Sequence, residues 1–270
     1  MTDPITIEVT RHKLEGIANE MQSTLLRSSF SPIVKEGLDA SAGLFTADGQ
    51  TLAQACAIPI HLATLIPVMK KIIETFPPDT MHPGDTFLLN DPYTGGTHLP
   101  DIAIIQPIIH RGQIIAFSAA MTHHQDMGGM SAGSVPTNAT EIYQEGLRLP
   151  PLKFRDKGVV NETLVAIIRQ NVRIPDTVMG DINAQVAACS IGARRIGVYR
   201  HEGRWYALKD ICPHAGVSLV KGPVSAMTVM CVGHGWTFRL DTGDIEKGPG
   251  GFSVPAYPVR EVAGTVEVGL

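Results

Sequence analysis

The chain has 270 residues, of which 44% are hydrophobic and 18% charged, with a formal net charge of -4 at pH 7. This length and composition allow a sizeable buried core and one large or two modest domains. The slightly acidic balance gives no reason to expect a nucleic-acid ligand. No apolar run approaches a membrane span, and the N-terminus lacks a basic and an apolar signal segment, so we expect a soluble, cytoplasmic protein.

Residues 1–195 carry helix and strand patterns in succession. Apolar positions at steps of three and four indicate helices, and short β-branched runs between turn residues indicate strands. The predicted elements are helix 3–31, strands 42–46 and 51–55, helix 62–76, strands 86–89, 102–109 and 114–121, and helices 161–172 and 176–193. Gly128 to Lys157 is predicted to be a long irregular connection, a kind that is more often functional than idle. We therefore expect an α+β domain, with a mixed sheet and helices, over residues 1–195.

Two loops that follow predicted strands, Asn90–Asp101 and Thr122–Met130, hold most of the polar residues of chemical interest. If the strands are neighbours in one sheet, both loops meet at the same end of it. The loops carry three imidazoles and two carboxylates: His98, Asp101, His123, His124 and Asp126. Mixed His and Asp ligation suits a divalent ion such as Zn, Mn or Fe, with open positions for water or substrate. The spacing alone leaves open whether these groups bind a metal or only hydrogen-bond each other.

The region after Arg195 shows strand and turn patterns and contains two short Cys and His pairs. Cys212-Pro213-His214 and Cys231-Val232-Gly233-His234 each supply one thiolate and one imidazole. Structural zinc sites begin instead with two closely spaced Cys, although a zinc knuckle is the alternative interpretation. A Rieske [2Fe–2S] cluster has two Cys on one iron and two His on the other. The pattern therefore predicts four cluster ligands, which are Cys212, His214, Cys231 and His234.

The sequences around these pairs agree with a cluster. YALKDICPHAG and GWTFRLDTG resemble the ferredoxin and oxygenase-type Rieske domain, and GPGG at Gly248–Gly251 resembles its third, cluster-covering loop. Predicted strands in this region are 196–200, 205–208, 236–240 and 265–268. We expect a small all-β Rieske-like iron–sulfur domain over residues 196–270. Thiolate ligands suit a reducing compartment, so the remaining Cys56 and Cys189 are expected to be buried free thiols.

Several motifs in residues 3–195 follow the order found in one enzyme family. They are DPITIEV, TLLRSSFSP, NDPYTGGTHLPDI, HHQDMGGM, ATEIYQEGLRLPP and GDINAQVAA. In these motifs the chain resembles the N-terminal part of the hydantoinase B/oxoprolinase family, which includes the large subunits of acetone and acetophenone carboxylases. The resemblance implies a divalent metal on His123 and Asp126, with Asp101 as a further ligand. It also implies an ATP-using partner, similar to a hydantoinase A subunit, that activates a cyclic amide or a ketone.

These features favour a hydrolase subunit that acts on cyclic amides similar to hydantoin or 5-oxoproline. Water activated by the metal would attack the carbonyl carbon, with His124 or His98 as the general base. The chain has no GxxxxGK[ST] phosphate-binding loop, so the use of ATP is assigned to the partner. The alternatives are a Rieske electron-transfer component with its own redox partner, and a fusion of two inactive modules.

The predicted helix 176–193 carries an apolar stripe of Val178, Ile182, Val186 and Ile191. Family chains run to more than twice this length, so the segment that would cover the stripe is expected to be absent. An exposed stripe would lose the free energy of burial and would drive oligomer formation or partner binding. We further expect the two regions of the chain to fold as separate units.

Overall fold

The computed structural model describes residues 4–55, 57–110, 112–193, 196–210, 212–213, 217–257, 259–262 and 265–268. Asp3, Cys56, Arg195 and His214, which enter the sequence interpretation, lie outside the described residues. The chain divides into two compact units, namely Leu14–Ala193 and, separately, residues 1–13 with 194–270. The predicted domain boundary at residue 195 stays a prediction. No helix in the described ranges is long and apolar enough to cross a membrane.

The unit Leu14–Ala193 is the α+β unit. Its elements are α1 (Pro4–Ser28, from Leu14 onward), α2 (Pro32–Lys35), β1 (Ala40–Thr46), β2 (Thr51–Gln54), α3 (Pro59–Thr75), β3 (Thr86–Leu89), β4 (Asp101–His110), β5 (Gln113–His123), β6 (Leu152–Asp156), β7 (Val159–Val160), α4 (Glu162–Asn171) and α5 (Pro175–Ala193). The predicted helices and the strands that became β1 to β5 are confirmed, with ends that differ by a few residues. Strand β6 lies at the end of the segment predicted to be irregular, and β7 lies just beyond it. Neither strand was predicted, because only Phe154 in β6 is strongly buried and the alternation of apolar residues is weak.

Seven strands form the described sheet of this unit, in the order β2-β1-β5-β4-β3-β6-β7. Every described pairing in it is antiparallel, so the expectation of a mixed sheet is wrong in this detail. Three of the six pairings are hairpins, namely β1 with β2, β4 with β5 and β6 with β7, and such connections pair strands in opposite directions. The predicted adjacency of β3, β4 and β5 is confirmed.

The sheet is covered on both faces by helices, and residues of β4 alternate between the two faces. Ile102 and Ile104 lie in the cluster that includes Ile182 of α5, whereas Ala103 and Ile105 lie in the cluster that includes Met69 of α3. The period of two along a strand produces this alternation. The packing on both faces fixes the strands, and therefore also the positions of side chains at the ends of the strands.

The apolar stripe of α5 is buried, which contradicts the expectation that it would be exposed. Val178 and Ile182 are fully buried and Val186 is nearly so. They belong to the core formed with α1 and the sheet, since α5 packs against β4 and β5. Residues 14–193 therefore cover their own helix, and this stripe supplies no free surface for an oligomer.

The other unit is all-β in the described residues that follow residue 195, as predicted. Its strands are β8 (Ile196–His201), β9 (Arg204–Lys209), β10 (Val224–Ser225), β11 (Thr228–Met230), β12 (Thr237–Arg239), β13 (Ile245–Lys247), β14 (Ala256–Tyr257), β15 (Val259–Val262) and β16 (Thr265–Val268). They form small antiparallel sheets in the orders β14-β9-β8 and β10-β11-β12-β13, with β15 paired to β16. Cys212 and Cys231 lie in the core of this unit beside Leu219, Val229 and Phe238.

Candidate functional site

A cluster of imidazoles and carboxylates lies at one end of the α+β sheet, where three neighbouring strands begin or end. Asp101, the first residue of β4, is paired in register with His123, the last residue of β5. Asp39 directly precedes β1, and its carbonyl accepts a hydrogen bond of 3.1 Å from the backbone N–H of His123. The strand register thus fixes these three residues side by side. The prediction that the loops after β3 and β5 meet at the same end of the sheet is confirmed.

Asp101 is the centre of the cluster. Its Oδ1 lies 3.1 Å from Nε2 of His98 and 3.4 Å from Nδ1 of His123. Its Oδ2 lies 3.4 Å from Nε2 of His61 and accepts a hydrogen bond from the hydroxyl of Thr97. One carboxylate therefore contacts three imidazoles through its two oxygens.

Asp39 completes the cluster from the opposite side. Its Oδ1 lies 3.5 Å from Nε2 of His61, and its Oδ2 lies 3.8 Å from Nδ1 of His123. The His61 side chain is 3% exposed and lies between the carboxylates of Asp39 and Asp101. Neither Asp39 nor His61 was predicted as a site residue. Asp39 is brought in by the pairing of β1 with β5, and His61 by the first turn of α3.

The ionisation of the central groups follows from these contacts. Burial alone would raise the pKa of Asp101, but its contacts with His123, His61 and His98 hold that pKa far below the usual carboxyl range. The contact with Asp101 also raises the pKa of His98. Asp101 is therefore a buried carboxylate that stays charged, in a position where positive charge is favoured.

The geometry of Asp101 fits a bound cation. Its Oδ1 is buried and accepts no well-directed hydrogen bond from the described residues, although two imidazole nitrogens lie within 3.4 Å of it. Ligand atoms of His98, Asp101 and His123 all lie within 4.8 Å of one another. Imidazole and carboxylate together are a donor set that Zn, Mn and Fe accept. A buried charged oxygen without a hydrogen-bond donor is costly unless a cation occupies the space beside it.

His124 and Asp126 are placed differently from the clustered residues. The His124 ring is fully buried, and its Nε2 lies 3.0 Å from Oε1 of Gln185 on α5 and 3.1 Å from the hydroxyl of Thr122. Burial lowers the pKa of His124. Because side chains alternate along a strand and its continuation, His123 faces the cluster while its neighbour faces α5. The structure does not bring His124 into the group of His98, Asp101 and His123.

Both carboxylate oxygens of Asp126 accept hydrogen bonds from groups around the loop that follows β5. Its Oδ1 accepts hydrogen bonds from the backbone N–H groups of Gly128 and Arg173, at 2.9 and 3.0 Å. Its Oδ2 accepts from the N–H of Gly133 at 3.1 Å and from Nη1 of Arg173 at 2.9 Å. Burial would raise the pKa of Asp126, but these donors hold it below the usual range. The structure therefore uses Asp126 to shape the loop and does not bring it to the cluster.

Two of the predicted cluster ligands in the β unit, Cys212 and Cys231, each donate a backbone hydrogen bond to a residue five positions further along the chain. The backbone N–H of Cys212 donates to the carbonyl of Val217 at 2.8 Å, and that of Cys231 donates to the carbonyl of Trp236 at 2.7 Å. Both Cys side chains are buried, whereas His234 is exposed. The fourth predicted ligand, His214, lies outside the described residues.

The two loops approach each other closely. A Cβ atom added at Gly233 would lie 3.1 Å from a methyl group of Val217 and 3.6 Å from Sγ of Cys231. The side chain of Asp210 holds the first loop, since its carboxylate accepts from the Ser218 hydroxyl at 2.7 Å and from the Val220 N–H at 2.6 Å. Two buried thiols, with an exposed imidazole three residues after the second, fit a cluster with one thiolate-held iron and one imidazole-held iron.

Fold and site together define a two-part protein: an α+β unit with a His and Asp cluster, and a β unit with two Cys and His loops. Comparison with known proteins agrees with both parts. The model of the family "Hydantoinase B/oxoprolinase" matches residues 3–209, and that of the "Rieske [2Fe-2S] domain" matches residues 174–258. The chain belongs to the hydantoinase B/oxoprolinase family, and its Rieske match supports a [2Fe–2S] cluster.

Individual relatives match 69% to 72% of the chain. The B component of a putative D-/L-hydantoinase of Pseudomonas sp. (strain NS671) is 36% identical over 72% of this chain and 33% of its own length. A 5-oxoprolinase of Dictyostelium discoideum is 37% identical over 69% of this chain and 15% of its own length. The crystal structure of an ATP-dependent caprolactamase from Pseudomonas jessenii superposes with a TM-score of 0.66 at 34% identity, covering 72% of this chain and 33% of that one. The chain thus spans a third or less of the length of these relatives.

Proposed function

We propose that this chain supplies the metal-holding part of a cyclic-amide hydrolase of the hydantoinase B type. The observation that carries the proposal is the buried, charged Asp101, whose Oδ1 lies near the imidazoles of His98 and His123 and has no hydrogen-bond partner among the described residues. Hydantoin, 5-oxoproline and caprolactam, after which the three relatives are named, are all cyclic amides. The shared chemistry of these compounds is an amide carbonyl within a ring.

The proposed ligands of the divalent ion are His98, Asp101 and His123, with Asp39 as a fourth. Asp39 takes the place given to Asp126 in the sequence analysis, because both oxygens of Asp126 already accept hydrogen bonds from its own loop. When bound, a divalent ion supplies a Lewis acid that lowers the pKa of water and polarises a carbonyl group. A set of three or four protein ligands leaves a coordination position open for this chemistry.

The other residues of the cluster orient the ligands. His61 lies between the carboxylates of Asp39 and Asp101, so its imidazole limits rotation of both. Thr97 donates its hydroxyl to Asp101. His98 is the most exposed clustered imidazole, with 42% of its side chain accessible, and it therefore borders the space in which a substrate would lie. We assign His98 to the ligand set and give His124 no role as a base, because its ring is fully buried against Gln185 of α5.

An ATP-using partner subunit is part of this proposal. An unstrained amide is a poor electrophile, and the sequence offers no GxxxxGK[ST] loop for nucleotide phosphates. One relative is named as a single component of a hydantoinase and another as an ATP-dependent enzyme, which supports activation by a second subunit and an oligomeric assembly.

Electron transfer by the Rieske region is a second proposed function, and the paired loops of Cys212 and Cys231 favour it. Both thiols are buried while His234 is exposed, so a cluster held there would present its imidazole side to solvent. One-electron transfer to a redox partner needs such an exposed side. We propose residues 1–195 and 196–270 as separate domains that carry these two functions.

The hydrolase proposal is tested with the full chain and an ATP-using hydantoinase A-type subunit, mixed with hydantoin or 5-oxoproline. We expect amide hydrolysis that requires both proteins, ATP and the divalent ion, and that His123→Ala abolishes. The matched control is His12→Ala, which removes an exposed imidazole that lies outside the cluster. Hydrolysis that is unchanged in His123→Ala, or that the chain performs without ATP, would contradict the proposal.

A further inference from the structure

A cationic side chain lies between two exposed aromatic rings on the α+β unit. The guanidinium carbon of Arg148 is 5.4 Å from the ring centroid of Tyr143 and 6.0 Å from that of Tyr93. The two tyrosines are 72% and 75% exposed, so the faces of both rings and the cation between them are accessible to a ligand. We call these three residues the Tyr–Arg–Tyr cluster.

The terminal nitrogens of the Arg148 guanidinium are available to bind a ligand. Nε of Arg148 lies 3.9 Å from Oδ2 of Asp91, which is beyond hydrogen-bond distance. Asp91 uses its Oδ1 to accept the backbone N–H of Tyr93, so it orients the arginine without occupying its terminal nitrogens. In the part of the chain that the structure describes, those nitrogens donate no hydrogen bond to the protein. Two flanking rings restrict the guanidinium, so binding of an anion to its fork loses little side-chain entropy.

A buried asparagine ties the Tyr–Arg–Tyr cluster to the loop of the proposed metal ligands. The Asn90 side chain donates to the carbonyls of Leu99, at 2.6 Å, and Leu147, at 3.0 Å. Its amide oxygen accepts the N–H of Leu149 at 2.7 Å. Leu99 lies between two proposed ligands in the sequence, and Leu147 and Leu149 flank Arg148. A single fully buried side chain therefore holds both segments in a fixed arrangement.

The same hydrogen bonds bring the segment of Arg148 next to the loop of the proposed ligands. One side-chain nitrogen of Asn90 donates to the carbonyls of both Leu99 and Leu147, and Leu99 directly follows His98 in the sequence. Tyr93 lies in that same loop, between Asn90 and His98. The Tyr–Arg–Tyr cluster thus lies at the approach to the candidate metal centre.

We propose that the Tyr–Arg–Tyr cluster is an oxyanion-binding subsite that receives an anionic group of the substrate at the approach to the metal centre. This inference rests on the proposed function and specifies the substrate class, which is a cyclic amide with a carboxylate or a phosphate. A planar guanidinium fork matches the paired oxygens of either group. The carboxylate would belong to the substrate itself, whereas the phosphate would be added by the ATP-using partner.

The test uses the full chain loaded with Mn²⁺ or Zn²⁺ and three probes in a calorimetric binding experiment. The probes are 5-oxoproline, its carboxylate-free analogue 2-pyrrolidone, and inorganic phosphate. We expect 5-oxoproline or phosphate to bind about tenfold to a hundredfold more tightly than 2-pyrrolidone, which is the effect of a charge-assisted pair of hydrogen bonds. The probe that gains affinity identifies the source of the anion.

The variants separate the role of Arg148 from a general loss of structure. Arg148→Met is expected to remove the preference for the anionic probe, and Arg148→Lys to restore part of it, because lysine keeps the charge but not the fork. Tyr143→Leu, at an exposed position, removes one flanking ring and is expected to weaken anion binding severalfold. The matched control is Arg200→Met, which removes an arginine lying 5.3 Å over Trp205 in the other unit and should leave binding unchanged.

The outcomes distinguish this subsite from the proposed function. If wild type holds its metal but binds the three probes equally, or if Arg148→Met and Arg148→Lys bind as wild type does, the subsite is absent and the metal centre stands. If Arg148→Met weakens association with the ATP-using subunit while probe binding is unchanged, the cluster is a protein contact and the proposal is wrong. If the wild-type chain binds no divalent ion at all, the proposed function fails first.

Discussion

The two units position their candidate ligands in different ways. In the α+β unit, Asp39, Asp101 and His123 lie side by side because three strands are paired in register at the end of a buried sheet. In the β unit, Cys212 and Cys231 each begin a short loop that is closed by one local backbone hydrogen bond. Long-range pairing therefore assembles the first site and local loop geometry assembles the second.

This difference explains which residues the sequence can reveal. A loop-borne site keeps its ligands close together in sequence, so it leaves a compact motif. A site built by strand register collects residues from distant segments, and only those that fall in one loop form a pattern. Substitutions in the two units should therefore have different effects. Replacing one loop ligand should remove the metal from its own site only. Replacing a residue that packs on the sheet should change the stability of the whole α+β unit.

The largest expected effect is the loss of the entire iron–sulfur cluster from the β unit. Cys231→Ala removes one of two thiolates, and the remaining ligands cannot complete the set that holds the cluster. We expect iron and acid-labile sulfide to fall to background while the divalent ion of the α+β unit is retained. The matched control is Cys189→Ala, because Cys189 is a buried thiol of the other unit whose pKa is raised by burial. Visible absorption that persists in Cys231→Ala would show that the two Cys loops hold no cluster.

The next effect is loss of the divalent ion in Asp101→Asn. The amide removes the charge that three imidazoles contact, so metal affinity should fall by more than the roughly tenfold to hundredfold cost of losing a residue behind the ligands. His61→Gln, which changes such a residue, should show that smaller loss. Equilibrium dialysis against Zn²⁺ or Mn²⁺ measures both. Equal affinities in wild type and Asp101→Asn would mean that the cluster is only a hydrogen-bonded network.

A third effect tests how firmly the sheet supports its site. Ile182→Ala, at a fully buried position of α5, should lower the free energy of unfolding by about 2–5 kcal/mol. Ile167→Ala on α4 is the control, since that side chain is 45% exposed and its loss should cost less than about 1 kcal/mol. Denaturant unfolding of the two variants gives the comparison. Equal small losses would indicate that α5 does not belong to the core of this unit.

The smallest effect concerns the loop after β5. Asp126→Ala leaves the donors of Gly128, Gly133 and Arg173 without their acceptor and should lower the free energy of unfolding by about 1–3 kcal/mol at pH 7. Because the pKa of Asp126 is depressed in the folded state, its contribution is present above the ordinary carboxyl pKa, about 4, and is lost as the pH falls through the folded value.

Unfolding of wild type and Asp126→Ala at pH 7 and in acid tests this pH dependence. The gap between the two should narrow as the pH falls. Asp176→Ala provides the control, because its pair with Arg169 is exposed and is worth less than about 1 kcal/mol. A gap that stays constant down to the lowest pH at which the protein is folded would contradict the role given to the Asp126 charge.

Much of the fold follows from the sequence because its periodicities are strong. Helices α3 and α5 carry apolar positions at steps of three and four, and strands β3 to β5 are short apolar runs that follow one another both in the chain and in the sheet. The failures have specific causes. Strand β6 buries only Phe154 well, and the stripe of α5 is covered by the sheet of its own unit, which the length of family relatives does not reveal.

The candidate site was predicted in part. His98, Asp101 and His123 were found because they lie in two motif-bearing loops, whereas Asp39 and His61 lie at the start of β1 and of α3 and approach only in three dimensions. A lone imidazole in the first turn of an apolar helix was the available indication for His61. Asp126 was predicted as a ligand from the family resemblance, but a matching motif does not state in which direction the side chain points in a glycine-rich loop.

The central claim, that one chain holds two chemically different metal centres, is tested most directly by elemental and sulfide analysis of anaerobically purified wild-type protein beside Cys231→Ala and Asp101→Asn. We predict about two irons and two acid-labile sulfides per wild-type chain together with one further divalent ion. Cys231→Ala should lose only the iron and sulfide, and Asp101→Asn only the further ion. A colourless wild-type protein with a single zinc and no sulfide would contradict the account, as would variants that lose both centres together while remaining folded.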